Sequence, residues 1–321
     1  MGGIVMVMLG AAYAHRIDSI TAGIRALLAR LESELSVYDP GSSISLLKEH
    51  AGVREVRISE DALRVLRIAR DFGDIAEGAF DVTMAPLAVL WGFRDKQSPT
   101  RVPSKSEVDE RLRLVDYRRL ILGEQTAFLP EAGMAVDLGG IAKGFAVDCA
   151  YEYCRSMGVQ DFLLDMSGNI RVSGHPQDGE EWRIGVRNPF DRMRMIGMVT
   201  LPDGAALSTS GSYERFVEIA GGRYSHIIDP RNGLPVRGTA GVTILADNAI
   251  DADCFSTLCF VVGLDQAPKF LTRPGHVEAL IVPDRSPIEI HVSAGFLKTF
   301  VSMPAFSGAI RILESAATRE R

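Results

Sequence analysis

The sequence predicts an α+β fold: mixed, largely antiparallel sheets with packed helices. Three observations carry this expectation. Apolar residues recur at spacings of three and four in some segments and alternate in others, so helices and strands are both present. A strand, a glycine turn, a helix and a second strand follow one another only once, near the middle of the chain. After that passage come short strands separated by turn residues, an order that disfavours a doubly wound parallel sheet. At 321 residues the chain is near the length of two domains, a size that one large α+β domain also reaches.

Composition narrows the function classes. Hydrophobic residues make up 46% of the chain and charged residues 24%, the balance of a globular protein and not of a disordered chain. The 35 Lys+Arg against 41 Asp+Glu leave a net charge of −6 with no long run of one sign, so no nucleic-acid partner is expected. The cysteines Cys149, Cys154, Cys254 and Cys259 form no CxxC pair, so neither a zinc ribbon nor a disulfide framework is suggested. They read as reduced, mostly buried thiols.

The opening stretch 1–14 is apolar and ends in small residues, but it lacks the basic start of a signal peptide and is too short to cross a bilayer as a helix. Alternation of Val5, Val7 and Leu9 with Ile4, Met6 and Met8 predicts a fully buried first strand. No later segment is apolar for long enough to span a membrane, so no transmembrane segment is expected. Ile17, Ile20, Ile24, Leu27, Leu28, Leu31 and Leu35 mark an amphipathic helix over 14–35. Turn residues from Tyr38 to Ser43 follow, with Ser43 placed to start a short segment through Leu47. A second helix is expected over 59–72 with Ser59 as its cap, then a loop over 78–83 and a helical run through Leu87, Leu90 and Trp91. The stretch 94–107 reads as polar and exposed.

The central passage is a strand over 135–138, the turn Gly139-Gly140, a helix over 141–157 ended by Gly158, and a strand over 162–166. Further strands are expected over 169–173, 181–186, 195–201, 215–219 and 223–228, with Gly221-Gly222 as a hairpin turn. A strand over 241–245, a helix over 251–262 and strands over 277–282, 288–292 and 299–302 complete the chain.

Four segments can carry chemistry. Asp137-Leu138-Gly139-Gly140-Ile141-Ala142-Lys143-Gly144 runs from a strand into a helix, where glycines admit a ligand closely and the first helical N–H groups attract phosphate oxygens; turn chemistry alone is the alternative. Its spacing fits neither the Walker nor the dinucleotide pattern. In Tyr224-Ser225-His226-Ile227-Ile228-Asp229-Pro230, His226 stands by a rigid corner as a candidate general base that Asp229 can orient; alternatively Asp229 only caps the turn. Asp253 and Thr257, four apart on a helix, are too few to enclose calcium but suit magnesium, which keeps waters and leans on substrate phosphates. The fourth segment, Thr209-Ser210-Gly211-Ser212-Tyr213-Glu214-Arg215, reads as a polar turn able to present hydroxyls and Arg215 to an anion.

Taken in order, these pieces resemble the ApbE-type FAD:protein FMN transferases, which attach FMN covalently to a Ser or Thr of a target protein. Ser36-Val37-Tyr38-Asp39-Pro40, Gly78-Ala79-Phe80-Asp81-Val82-Thr83, Pro86-Leu87, Leu90-Trp91-Gly92-Phe93 and Trp182-Arg183-Ile184-Gly185-Val186 join the four segments in carrying the likeness. It implies an ApbE-like architecture as a single domain over 1–321, the alternative being two lobes with the FAD site between them. Met1, Tyr38, Ala79, Phe80, Asp81, Gly139, Lys143, Phe145 and Ile227 would line the FAD site. Magnesium would be held by Asp253, Thr257 and the carbonyl of Ala142, and His226 beside Asp229 would be the base or orienting group for the acceptor hydroxyl. The implied partners are FAD and an acceptor flavoprotein with a Ser or Thr flavinylation site, a subunit of an electron-transfer complex by analogy.

Three departures accompany the resemblance. Gly3 stands where the family usually has Thr, Ser167-Gly168-Asn169 replaces the commoner Gly-Gly-Asp, and Met1 falls where many relatives have already passed a lipoprotein or secretion signal. The sequence as written is therefore expected to be cytoplasmic, or of the cell envelope or periplasm where such a signal has been omitted. Two other activities fit the same residues: hydrolysis of FAD to FMN and AMP, and FAD binding without turnover.

Overall fold

The computed structural model describes residues 3–94, 101–176, 179–212, 216–271 and 277–313. These fall into two units, one from the described residues of 1–29, 143–213 and 238–321, the other from those of 30–142 and 214–237. Along the chain run β1 (Val5–Leu9), α1 (Ile17–Leu35), α2 (Ser43–Glu49), β2 (Val56–Arg57), α3 (Glu60–Ile75), α4 (Ala85–Leu90), α5 (Lys105–Leu112), β3 (Ile121–Leu122) and β4 (Thr126–Phe128). Then come α6 (Ala142–Ser156), β5 (Phe162–Met166), β6 (Asn169–Ser173), β7 (Trp182–Asn188), β8 (Asp191–Leu201), β9 (Ala206–Gly211), β10 (Phe216–Ile219), β11 (Gly222–Ser225), β12 (Ile228–Asp229) and β13 (Leu234–Pro235). The last part holds β14 (Thr239–Ala246), α7 (Ala249–Leu271), β15 (Glu278–Pro283), β16 (Ile290–Val292), α8 (Ala294–Thr299), β17 (Phe300–Ser302) and β18 (Ile310–Ile312).

The first unit is built on an eight-stranded sheet, β1-β5-β6-β9-β14-β15-β16-β18, antiparallel except for the last pair. A three-stranded antiparallel sheet, β17-β8-β7, shares an apolar core with it, to which Val172, Trp182, Val199, Leu207, Val282 and Phe296 contribute. Helix α7 packs on β9 and β14, so the helical side of the main sheet is the side that receives α7. The second unit holds α2 to α5, the small sheet β2-β4-β3, and the hairpins β10–β11 and β12–β13. Its core gathers Leu87, Trp91, Val108, Val217, Ile219 and Ile228, and the Trp91 Nε1–H donates to the Gly233 carbonyl at 2.9 Å. The α+β expectation holds.

Local chemistry explains most of the element boundaries. Ser59 caps α3 through the Ala62 N–H as the sequence predicts, and Ser42, one residue earlier than expected, caps α2 through Ser45. Gly158, at φ +75°, follows α6 in the left-handed conformation that glycine adopts without strain. The β10–β11 hairpin turns on Ala220-Gly221, both at positive φ, in place of Gly221-Gly222.

Five expectations are corrected. Residues 135–138 form no strand, only one isolated parallel bridge between Met84 and Ala135; Val136 and Leu138 are buried without a ladder partner. The strand–helix–strand passage therefore loses its first strand. Thr209 to Gly211 belong to β9, an inner strand of the main sheet, and not to a turn; Tyr213, Glu214 and Arg215 lie outside the described residues. β1 is an edge strand with Val5, Met6 and Met8 exposed, where a fully buried strand was expected. Within 94–107, Ser104 and Glu107 form a capping box for α5, and the Arg94 side chain is largely buried.

The thiols match their reading. Cys154, Cys254 and Cys259 are buried and Cys149 half-buried, all four as thiols outside any disulfide. Burial pushes the Cys154 thiol up to about 11 and that of Cys259 up to about 12. A raised pKa leaves almost no thiolate at pH 8, so of the four only Cys149 is expected to react with a disulfide reagent in the native state. Release of two or more equivalents of chromophore before unfolding would contradict this burial.

Candidate active site

Helices α6 and α7 cap each other. The Asp148 carboxylate of α6 accepts the first N–H groups of α7, from Ala249 and Ile250, each at 2.9 Å. One turn into α7, Asp253 returns the favour by accepting the Gly144 N–H of α6 at 3.0 Å. Each carboxylate meets the positive end of the opposite helix dipole and satisfies a terminal donor. Arg171 of β6 donates to Asp148 at 2.8 Å and lies over the Tyr151 ring. Asn248 completes the start of α7 by accepting the Asp251 N–H at 2.8 Å. Gly144 permits the approach: a Cβ there would stand 2.3 Å from the Ala249 oxygen and 2.9 Å from the Asp253 Cβ.

The same crossing surrounds Asp253 with polar groups. Asp253 is 3% exposed and Asn169, the first residue of β6, 1% exposed. With its oxygen toward Lys143 and its nitrogen toward Asp253, the Asn169 amide accepts from Lys143 Nζ at 2.6 Å and donates to Asp253 Oδ1 at 3.1 Å and Ser208 Oγ at 2.8 Å. Ser256 Oγ donates to the Asp253 carbonyl at 2.9 Å and lies 2.8 Å from Ser210 Oγ. Burial raises the Asp253 carboxyl from its ordinary range, while the Lys143 charge, the Gly144 N–H and the Asn169 amide oppose that shift.

Thr257 follows Asp253 by one helical turn and is half-buried, and Ala142 is the first residue of α6. The Asp253 carboxylate and the Thr257 hydroxyl are hard oxygen donors of the kind magnesium takes, and too few for an all-protein calcium cage. Among the described residues no group of three or more His, Cys, Asp or Glu could hold a metal ion.

The glycine turn ahead of α6 belongs to the second unit. Asp137 Oδ1 accepts the Gly139 N–H at 2.7 Å, and Arg94 pairs with Asp137 while its guanidinium lies 5.8 Å from the Tyr38 ring. Gly139 is exposed, and Tyr38 is 67% exposed. The Ala142 N–H already donates to the Leu138 carbonyl at 2.8 Å. With Gly144 also engaged, fewer helical N–H groups are open to a phosphate than the sequence suggested.

Within that unit Ala79 and Phe80 are buried, Phe80 edge-on to Phe72 at 5.1 Å. The Asp81 carboxylate is turned inward: Oδ1 accepts from the Thr83 N–H at 2.7 Å and hydroxyl at 2.6 Å, and Oδ2 from the Tyr117 N–H at 2.9 Å. Asp81 thus ties the 78–83 loop down. His226 is half-buried between β11 and β12, its ring 6.5 Å from that of Phe93, and Ile227 beside it is buried. Asp229 forms a bidentate pair with Arg231 at 2.9 Å and accepts from Asn232 at 3.2 Å, which builds the corner that carries His226. Phe145 has no exposed surface and lies in the core. Met1 lies outside the described residues.

Sequence reasoning missed the parts that need tertiary contact. Ser208, Ser210 and Ser256 were hidden in apparently turn-like or apolar surroundings, and Gly144, inside the expected helix over 141–157, gave no sign of a helix crossing. Ser104 with Glu107 three residues later was a legible capping signal.

An α+β protein whose helix crossing gathers hard oxygen donors beside a lysine ammonium belongs to a class suited to a divalent ion and a phosphate. The ApbE family model matches residues 1–281, and the chain belongs to the ApbE family. It is 33% identical over 241 residues to the FAD:protein FMN transferase of Vibrio cholerae, covering 75% of this chain and 72% of that protein. The protein of the same name from Klebsiella pneumoniae is 31% identical over 288 residues, covering 88% and 86%. The solved flavin transferase ApbE from Vibrio cholerae superposes with a TM-score of 0.81 at 28% identity, covering 93% of this chain and 96% of that one. The ApbE protein from Thermotoga maritima gives 0.77 at 30% identity, covering 92% of each chain.

Gly144→Ala is expected to destabilise the fold by roughly 1–3 kcal/mol, because its Cβ must displace helix backbone and not a flexible side chain. A urea denaturation midpoint equal to that of the parent protein would show that the two helices do not need this approach.

Proposed function

We propose that this chain is a magnesium-dependent FAD:protein FMN transferase that moves FMN from FAD to a Ser or Thr hydroxyl of an acceptor flavoprotein and releases AMP. The observation that carries the reading is the cluster at the α6–α7 crossing, where Asp253 caps α6 through the Gly144 N–H and is joined to Lys143 by the Asn169 amide, with Thr257 one helical turn further along α7. The names of the relatives support the reaction class. Family analogy makes the acceptor a subunit of an electron-transfer complex. No helix of the described residues is long and apolar enough to cross a membrane.

In this reading Asp253 and Thr257, with the Ala142 carbonyl, would hold the magnesium ion. Bound there, it would neutralise the diphosphate and stabilise the departing phosphate. Lys143 supplies a further positive charge to a phosphate oxygen, held in place through Asn169. Tyr38, Ala79, Phe80, Gly139 and Ile227 are assigned to FAD contacts. Asp81 acts by fixing its loop and Phe145 by filling the core beneath the start of α6.

The acceptor oxygen forms a bond to the phosphorus on the FMN side, and the bond from that phosphorus to the bridging oxygen breaks. The proton leaves the hydroxyl, and AMP departs with the bridging oxygen. An aliphatic hydroxyl hardly ionises at neutral pH, so His226 is assigned as the group that takes or orients that proton. Asp229 keeps the histidine's corner rigid through Arg231.

Purified protein incubated with FAD and magnesium, with and without a flavoprotein acceptor, tests the reading. AMP that appears only with acceptor supports it; AMP in both arms makes the chain an FAD pyrophosphatase, and no AMP in either makes it a binder. His226→Ala is expected to slow transfer by ~10²–10⁴-fold while changing the FAD dissociation constant far less. An undiminished transfer rate in that variant would remove His226 from the reaction.

A further inference from the structure

We propose that Asn169 is a positioning residue that holds the Lys143 ammonium away from Asp253 and, being uncharged, makes this site take up its divalent ion together with the dinucleotide and not ahead of it. The inference rests on the FAD reading above and adds to it an order of binding.

The geometry starts with the turn before β6. Ser167 and Gly168 both have positive φ, and the Gly168 N–H is held by Asp165 at 2.7 Å, so Asn169 enters the sheet in a fixed orientation. Its register partner on β9 is Ser208, which accepts from its amide. Asp165 pairs with Ile170 and thus faces the opposite side of the sheet from Asn169. The side chain is almost wholly buried, with Lys143 on one side and Asp253 on the other.

A carboxamide bridges the two opposite charges here. It accepts from the ammonium with its oxygen while it donates to the carboxylate with its nitrogen, and neither a carboxylate nor an alkyl group can do both. Among the described residues no direct ion pair joins Lys143 to Asp253, and the amide spans the gap between them. Gly144 and Asn169 each occupy one Asp253 oxygen with a single bond, which leaves a lone pair on each for a cation.

Charge gives the order of events. Lys143 and Asp253 sum to zero, and the Asp148–Arg171 pair at the same helix crossing is neutral within itself. A divalent ion arriving alone meets one carboxylate and a nearby ammonium, a donor set with no net attraction. A diphosphate brings two negative charges and its own oxygens, so ion and dinucleotide each improve the site for the other. A carboxylate at position 169 would change the sum to −1, favouring the lone ion and opposing the lone dinucleotide, at close range by about tenfold or more.

The test uses Mn2+ as the probe ion, with free Mn2+ followed by electron paramagnetic resonance and FAD by flavin fluorescence anisotropy. The parent protein is expected to bind Mn2+ at least about tenfold more tightly in the presence of FAD than in its absence. Asn169→Asp should bind Mn2+ alone about tenfold more tightly, bind FAD alone more weakly, and so shrink that ratio. Asn169→Leu, which leaves both charges without their bridge, should lose affinity for FAD as well as for Mn2+ while its circular dichroism stays native. The proposal is overturned if the parent binds Mn2+ equally well with and without FAD, a result that needs no variant to fold. It is also overturned if a folded Asn169→Asp keeps the parent ratio within a factor of two. A parent protein that binds no FAD under any condition brings down the functional reading itself, and the proposal with it.

Discussion

The reciprocal capping of α6 and α7 is the constraint on which the first unit's chemistry depends. A helix terminus leaves N–H groups that must find acceptors, and here each helix supplies a carboxylate to the other. The two interactions are of the kind whose loss is costly, because removing one partner strands buried donors or an unpaired charge. They also fix the angle and depth of the crossing, which the missing side chain of Gly144 allows to be close. Asp253 is consequently a structural cap and a candidate metal ligand at once. Its position is set by the fold before any ligand arrives, which is the preorganisation that a phosphate-transfer site requires.

The second unit uses the same economy of means on loops. Asp81 spends its carboxylate on Thr83 and Tyr117, and Asp137 on the Gly139 N–H and Arg94. Asp229 similarly turns to Arg231 and Asn232. Three acidic residues that read as chemistry in the sequence therefore first serve to hold backbone turns. Carboxylates suit this task because each accepts several N–H bonds and keeps a short turn from opening.

What the sequence made legible follows from how local each signal is. Period and caps located α3, α6, β5 and β6 because those elements are specified by residues within a few positions of each other. Residues 135–138 misled because Val136 and Leu138 are apolar and buried without a strand partner, and apolar character reports burial, not pairing. β9 was read as a turn because its Ser208 and Ser210 face Ser256, so a polar strand lies in the interior with its hydroxyls satisfied from another element. Arg94 looked solvated until its pairing with Asp137, 43 positions away, was visible. The grouping of Lys143, Asn169 and Asp253 is likewise non-local: they are brought together from a helix start, a strand start and a second helix.

The central claim is that Asp253 and Thr257 at this crossing hold a divalent ion against the diphosphate of FAD. Crystals grown with Mn2+ and FAD allow the ion to be placed by its anomalous scattering. The account predicts a manganese peak bonded to an Asp253 oxygen and the Thr257 hydroxyl, with a flavin phosphate oxygen completing part of its octahedron. A peak elsewhere, or bound FAD whose diphosphate lies apart from these two side chains, would contradict it.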